Sequence, residues 1–288
     1  MNEAVIRMIK RYDCKTGRDY QNALREIIQE IALLGLWRSK FFEKAAFYGG
    51  SALRILYGQE RFSEDLDFSL LQPDINFRLD TYLKAILTEL ESMGVNVSIE
   101  QKKKLVNSAI KSAFIKAGTL EHLIKVGFAL REQKRFHAQA MTKIKIEIDT
   151  DPPGGFNTEA KFLLQPFPFS VNTFSAPDLF AGKMHAVLCR SWSNRVKGRD
   201  WHDLVWFVSQ KIPLNLKHLE ERMRQTGHYN EIQGLTRERF LEYFLTRVET
   251  LDIENAKKDI LPFLHDPLQI EVWSQKFFHA IAPRIAVS

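Results

Sequence analysis

The residues of this chain whose types and spacing best suit chemistry are Asp65 and Asp67, in Asp65-Leu66-Asp67, and the nearby triplet Gly49-Gly50-Ser51. Two carboxylates two apart on a strand share one face, with alpha carbons roughly 6.5 to 7 Å apart. Their side chains can therefore converge on divalent cations separated by ~3.5 to 4 Å. Hard oxygen ligands of this kind suit Mg2+ (or Mn2+), which keeps part of its shell for water and substrate phosphate. A D-x-D by itself is also what a solvent-facing strand shows. Its force comes from the glycine pair, because small residues at a strand-to-helix turn let backbone amides and a hydroxyl approach phosphate oxygens, aided by the helix dipole. Ser51 also reads as a plain helix N-cap and the glycines as relief of a tight turn. No G-x-x-x-x-G-K-[ST] occurs, and no G-x-G-x-x-G follows a strand, so P-loop and dinucleotide-fold readings fit poorly.

These residues need a strand, a turn and a second strand to hold them. AAFYGGSALRILYG reads as a short apolar strand, the Gly-Gly-Ser turn and a short helix ended by Gly58. In EDLDFSLL the period of two sends Asp65, Asp67 and Ser69 to one face and Leu66, Phe68 and Leu70 to the other. Upstream, Tyr20 to Trp37 carries apolar residues at helical spacing. Downstream, Phe77 to Met93 reads as a helix, and Val95 to Ile99 and Ala109 to Lys116 as strands; 118–140 carries no clear pattern. KIKIEID, Lys143 to Asp149, alternates cleanly, with Glu147 and Asp149 on its polar face. DPPGG forces a turn, and Phe167, Phe169 and Val171 alternate again. From Ser175, which can cap, with Pro177 in the first turn, the pattern becomes helical, first to about Arg190, then from about Asp200 to Ser209 and from Leu214 to Ile281. The expected organisation is a domain over residues 1–174 and a mainly helical domain over 175–288.

The chain has 288 residues, 45% of them hydrophobic and 26% charged, which gives globular statistics. Its balance of +6 and pI near 9.2 favours polyanionic ligands without naming one. Lys102-Lys103-Lys104 and the run Arg190, Arg195, Lys197 and Arg199, with Trp192 beside it, fit either a nucleic-acid backbone or a solvated face. Cys14 and Cys189 lie in no metal-ligand spacing and suggest neither a zinc site nor a disulfide. The N-terminus lacks an apolar signal core and no stretch reaches membrane-spanning length, so a soluble, cytoplasmic protein without membrane association is expected.

GGSALRILYGQERFSEDLDFSL resembles the opening motif of the AbiEii/AbiGii-type nucleotidyltransferase toxins, a branch of the polymerase-beta-like nucleotidyltransferases. The match runs through Ser51, Leu53, Arg54, Tyr57, Arg61, Ser63 and Phe68. The resemblance implies an α/β fold with a mixed sheet flanked by helices, closed by a helical C-terminal domain. It implies a third acid on a later strand, for which Asp149 is preferred at the strand's end, with Glu147 as the second choice. It also implies a helical lysine, matched by Lys183, and a later acid, matched by Asp200 in KGRDWHDL. Lys183 would meet triphosphate as a point charge, alongside Gly49, Gly50, Ser51 and Arg54. Asp200 would orient Lys183 or take a proton, although an acid at a helix start is also favoured by the dipole alone. Asp203 would secure Arg199 or the domain junction, and His202 reads as a packing or hydrogen-bonding residue.

The activity implied is Mg2+-dependent transfer of NMP from an NTP to an acceptor hydroxyl, with RNA, such as a tRNA 3′ end, as acceptor. The chain would be the toxin of a two-gene, phage-defence type system and would have a cognate antitoxin protein. Two other functions fit the residues: transfer to a small hydroxylated molecule of antibiotic type, and a catalytically silent module that binds nucleic acid or a partner.

Overall fold

The computed structural model describes residues 3–102, 109–118, 141–190 and 196–288. Lys103, Lys104, Trp192 and Arg195 of the basic runs, and nearly all of the unassigned stretch 118–140, lie outside them. The chain forms two compact units. The first comprises Met1–Gly58, Ser63–Pro152 and Glu159–Thr173; the second comprises Gln59–Phe62, Pro153–Thr158 and Phe174–Ser288. The fold is α/β, and two short segments, Gln59–Phe62 and Pro153–Thr158, belong with the helical unit.

The first unit opens with α1 (Glu3–Ile9) and the long α2 (Gly17–Arg38). Thr16 caps α2 reciprocally with Asp19, which satisfies two of the backbone donors that a helix start leaves unpaired. The predicted apolar stripe of α2 is fully buried at Leu24, Ile27, Ile28 and Ile31. Then follow β1 (Ala45–Tyr48), α3 (Gly49–Tyr57), β2 (Leu66–Leu70), α4 (Asp80–Ser92), β3 (Val97–Lys102), β4 (Ile110–Gly118), β5 (Met141–Asp149), β6 (Thr158–Leu163) and β7 (Phe169–Phe174). They build a mixed seven-stranded sheet in the order β3-β4-β5-β2-β1-β7-β6. β2 lies antiparallel to β1 and parallel to β5, so the strands that carry the acids are central neighbours.

One sheet face buries Leu66, Phe68 and Leu70 beside Ile144, Ile146 and Ile148, and α2 packs against β5. Phe68 meets Phe47 and Phe41 at ring separations of 5.2 and 5.0 Å. The opposite face keeps the acids. Two local expectations change. Asp74 accepts from the amide of Asn76 and its carbonyl from that of Phe77, so 74–77 is a turn and α4 starts at Asp80; Phe77 is buried and stacks on Tyr82. Phe167 is exposed and outside β7, while Thr158–Leu163, which alternation in sequence did not reveal, forms β6.

The second unit contains α5 (Ala176–Cys189), α6 (Gly198–Ser209), α7 (Leu216–Gln225), α8 (Arg237–Glu249), α9 (Ile253–Ile260) and α10 (Gln275–Ile281) among the described residues. Pro177 sits in the first turn of α5, and the Ser175 hydroxyl donates to Asp178 at 2.5 Å rather than to the helix amides. Gly198 is fixed by packing: a Cβ there would lie 1.9 Å from the Ala256 carbonyl oxygen of α9. Among the described residues no helix is long and apolar enough to cross a membrane.

Candidate active site

The first unit gathers Gly49, Gly50, Ser51, Asp65, Asp67, Glu147 and Asp149 around β1, β2 and β5. Asp67 stands in the middle of this row, paired with Tyr48 on the antiparallel side and with Glu147 on the parallel side. Paired residues share a face, so Asp67 and Glu147 point the same way from adjacent strands. Asp149 is level with Ser69, one side-chain period further along β2. The register thus sets Glu147, rather than Asp149, beside Asp67. Glu147 also meets Lys145 Nζ at 2.8 Å and accepts from the Ser112 hydroxyl at 3.3 Å. The Asp149 carboxylate accepts from the Asp151 amide at 3.0 Å, which ties it to the turn after β5.

Gly49 begins α3 directly at the end of β1, with φ +84°. Side chains rarely adopt this left-handed backbone, and here there is no room for one: a Cβ would lie 2.6 Å from Asp67 Oδ2. The bare alpha carbon lets the carboxylate come up against the first turn of the helix. No side chain caps α3 at Tyr48. A helix start presents amide donors of the kind that bind anionic oxygens.

Ser51 is buried, and its hydroxyl points inward. It donates to the Asp65 carbonyl oxygen and accepts from Gln29 Nε2 at 3.5 Å. Gln29 also donates to the Ser63 carbonyl, so α2, α3 and the strand entry are laced together at the backbone that carries Asp65. Arg54 donates from Nε to Glu26 of α2 at 2.8 Å, with 17% of its side chain exposed.

In the second unit Lys183 and Asp200 are in contact. Lys183 Nζ lies 3.3 Å from Asp200 Oδ1 and 2.8 Å from Asp203 Oδ2, while Arg190 donates to the other Asp200 oxygen at 3.2 Å. Lys183 on α5 and Arg190, seven residues further and just past its end, thus reach the two oxygens of one carboxylate at the start of α6. Asp203 lies beneath them, fully buried. Arg61 grips it with both Nε and a terminal nitrogen at 2.6 Å, and Gln59 adds a bond at 3.2 Å. These cations hold the Asp203 carboxyl below the ordinary carboxylate range against the cost of its burial. Asp203 thus secures Arg61 and Lys183, whereas Arg199 faces Asp259 at 3.9 Å. His202 is buried and bonds Gln269 at 3.2 Å, as a hydrogen-bonding residue should. Sequence reasoning placed Arg61 in the family motif but missed it as the partner of Asp203, 142 positions further along the chain.

A search of the curated proteins finds no match. Among solved structures, JHP933 from Helicobacter pylori is similar at 17% identity and TM-score 0.50, over 92% of this chain and 91% of that one. A second H. pylori protein, provisionally assigned as a nucleotidyltransferase, is similar at 18% identity and TM-score 0.50, over 92% and 94%. At these identities the likeness shows the fold alone. Residues 31–281 match the profile of the nucleotidyl transferase AbiEii toxins of type IV toxin–antitoxin systems, and the chain belongs to that family.

Proposed function

We propose that the first unit binds a divalent cation and an NTP and transfers NMP to an acceptor hydroxyl. The observation that carries this reading is Asp67, level with Glu147 on the neighbouring strand and pressed against the bare alpha carbon of Gly49. Asp67 and Glu147 set two carboxylates level on adjacent strands, with Asp65 and Asp149 one side-chain period away in opposite directions and Lys145 in contact with Glu147. Carboxylates on one face of neighbouring strands suit a shared divalent cation. The donors are all hard oxygens, which fits Mg2+ or Mn2+ rather than a softer metal.

Asp65, Asp67 and Glu147 would hold the cation, with Asp149 as the alternative third acid. When bound, it supplies charge stabilisation to the triphosphate and to the attacking and leaving oxygens. The chain's own residues do the positioning. Gly49 and Gly50 present the start of α3 to phosphate oxygens, and Ser51 fixes the backbone at Asp65. In the transfer the acceptor oxygen bonds to the α-phosphorus, the α–β phosphoanhydride bond breaks and pyrophosphate leaves. Lys183, with Asp200 as its carboxylate partner, is the triphosphate-binding cation that the family resemblance implies. The +6 balance supports a polyanionic acceptor, RNA or a tRNA 3′ end, and membership of a toxin family supports a cognate antitoxin protein and action in the cytoplasm.

Incubation of the protein with each labelled NTP, Mg2+ and either total RNA or small hydroxylated molecules tests the reading. Label is expected in RNA, and Asp67→Asn is expected to abolish it while circular dichroism stays unchanged. Wild-type incorporation by Asp67→Asn would refute the assignment; label in the small molecules would move the acceptor and leave the site standing.

A further inference from the structure

The helical unit brings together two histidines and a cysteine that the transfer reading leaves unused. His185 and Cys189 are four apart on α5 and so share a helix face, and His228 follows α7, just after Gly227. One donor atom from each residue lies within 4.8 Å of the other two. The imidazole rings stand at 90° with centroids 6.3 Å apart, and they aim at one point. His185 Nε2 and His228 Nδ1 each lie 2.9 Å from the hydroxyl oxygen of Thr226. That hydroxyl directs its own proton to the backbone carbonyls of Arg222 and Met223, at 3.0 and 3.3 Å. The hydroxyl oxygen marks the point on which the two rings converge.

We propose that His185, Cys189 and His228 bind one borderline-soft transition-metal cation of the Zn2+ type, with water in the fourth position, and that this metal clamps the end of α5 to the turn after α7. The donor set is the opposite of that in the first unit. Imidazole nitrogen and thiolate sulfur select Zn2+-like cations over Mg2+. Zinc bonds of about 2.0 to 2.1 Å to nitrogen and about 2.3 Å to sulfur put tetrahedral ligand atoms roughly 3.3 to 3.7 Å apart. Closing the cluster from its present spread takes about 1 Å of side-chain adjustment, and the exposed His228 can supply it. Metal binding needs a neutral imidazole lone pair. Burial and the charge of Arg222 push His185 down to about 3, which leaves the ring neutral at pH 7.

Cys189 is buried, and burial pushes its thiol up to about 11. Loading therefore replaces the S–H bond with a sulfur–metal bond and releases that proton to solvent, with no change of oxidation state. The thiolate charge also offsets the neighbouring Arg222. The sequence reading of Cys189 as a thiol without metal-ligand spacing is explained by the distances along the chain: one histidine is a helical turn away and the other comes from a different helix's exit turn.

The full chain, stripped with a chelator and held in excess Mg2+ to occupy the carboxylate site, is titrated with Co2+. One equivalent should produce tetrahedral cobalt absorption with a thiolate-to-cobalt charge-transfer band, and Zn2+ should displace it. Cys189→Ser should remove the charge-transfer band, His228→Ala should weaken binding by about 10-fold or more, and Cys14→Ser should change neither. Zn2+ should raise the Tm of the wild type and leave that of His228→Ala where it is. If Cys189→Ser fails to fold, the exposed His228 variant carries the test. The proposal is overturned if the wild type shows no thiolate band, or if the band survives His228→Ala at unchanged affinity.

Discussion

Gly49→Ala separates the role of the site's geometry from that of its charge. An alanine at φ +84° costs about 1 to 2 kcal/mol in backbone strain. Its Cβ would also fall 2.6 Å from Asp67 Oδ2, where ordinary contact begins at 3.4 Å, so the carboxylate must retreat by about 0.8 Å. A misplacement of about 1 Å at a reacting centre costs on the order of 10²-fold in rate. Gly58 provides the control at the other end of the same helix: its φ is +76°, and a Cβ there would meet nothing within 4 Å among the described residues. Gly58→Ala therefore carries the same strain and no clash. Urea melts run beside labelled-nucleotide incorporation should show both variants destabilised by about 1 to 2 kcal/mol and only Gly49→Ala slowed, by about 100-fold. Equal activity in the two variants would refute the claim that the bare alpha carbon sets the position of Asp67.

Asp203→Asn leaves Arg61 and Lys183 without their buried counter-charge, and should cost about 3 to 5 kcal/mol of stability in urea or thermal melts of the purified chain. Because the folded carboxyl of Asp203 titrates below its unfolded value, its contribution is fully present above the unfolded range, near 3.9, and is lost as pH falls from there through the folded value. The acid limb of the pH–stability curve should therefore flatten in Asp203→Asn, and an unchanged limb would count against the ion-pair account. Ser51→Ala removes the hydroxyl that holds the Asp65 carbonyl; about 1 kcal/mol of stability should go, and incorporation should fall through the loosened Asp65 rather than through weaker NTP binding, seen as a drop in kcat at constant KM.

Much of the candidate site in the first unit was legible because its cues are local. The period of two in EDLDFSLL put Asp65 and Asp67 opposite Leu66 and Phe68, and the alternation of KIKIEID put Glu147 and Asp149 opposite the buried isoleucines. The glycine pair marked the strand-to-helix turn. Periodicity tells which face a residue takes but not which residue lies beside it, since that depends on register between strands far apart in sequence. Asp149 was preferred for its place at the strand's end, and only the pairing of β2 with β5 shows Glu147 level with Asp67. Ser51 was ambiguous for a related reason: a serine after two glycines looks alike whether its hydroxyl turns out to a phosphate or in to the Asp65 carbonyl.

The same distinction explains the helical unit. Helical spacing alone put Lys183 and Arg190 on nearly one face, and both reach Asp200. The bidentate grip of Arg61 on Asp203 spans 142 positions, and nothing local announces it. A buried arginine–carboxylate pair is costly unless its geometry is good and its remaining hydrogen bonds are met. Gln59, Lys183 and the Phe62 carbonyl meet them here, so charge fixes the loop at 59–62 to α6 beside the buried ring of Phe62. A polar stretch that reads as solvent-exposed in sequence is thereby an anchor in the fold. His185, Cys189 and His228 follow the same logic: each is unremarkable at its own position, and what they can do arises from the packing of α5 against α7.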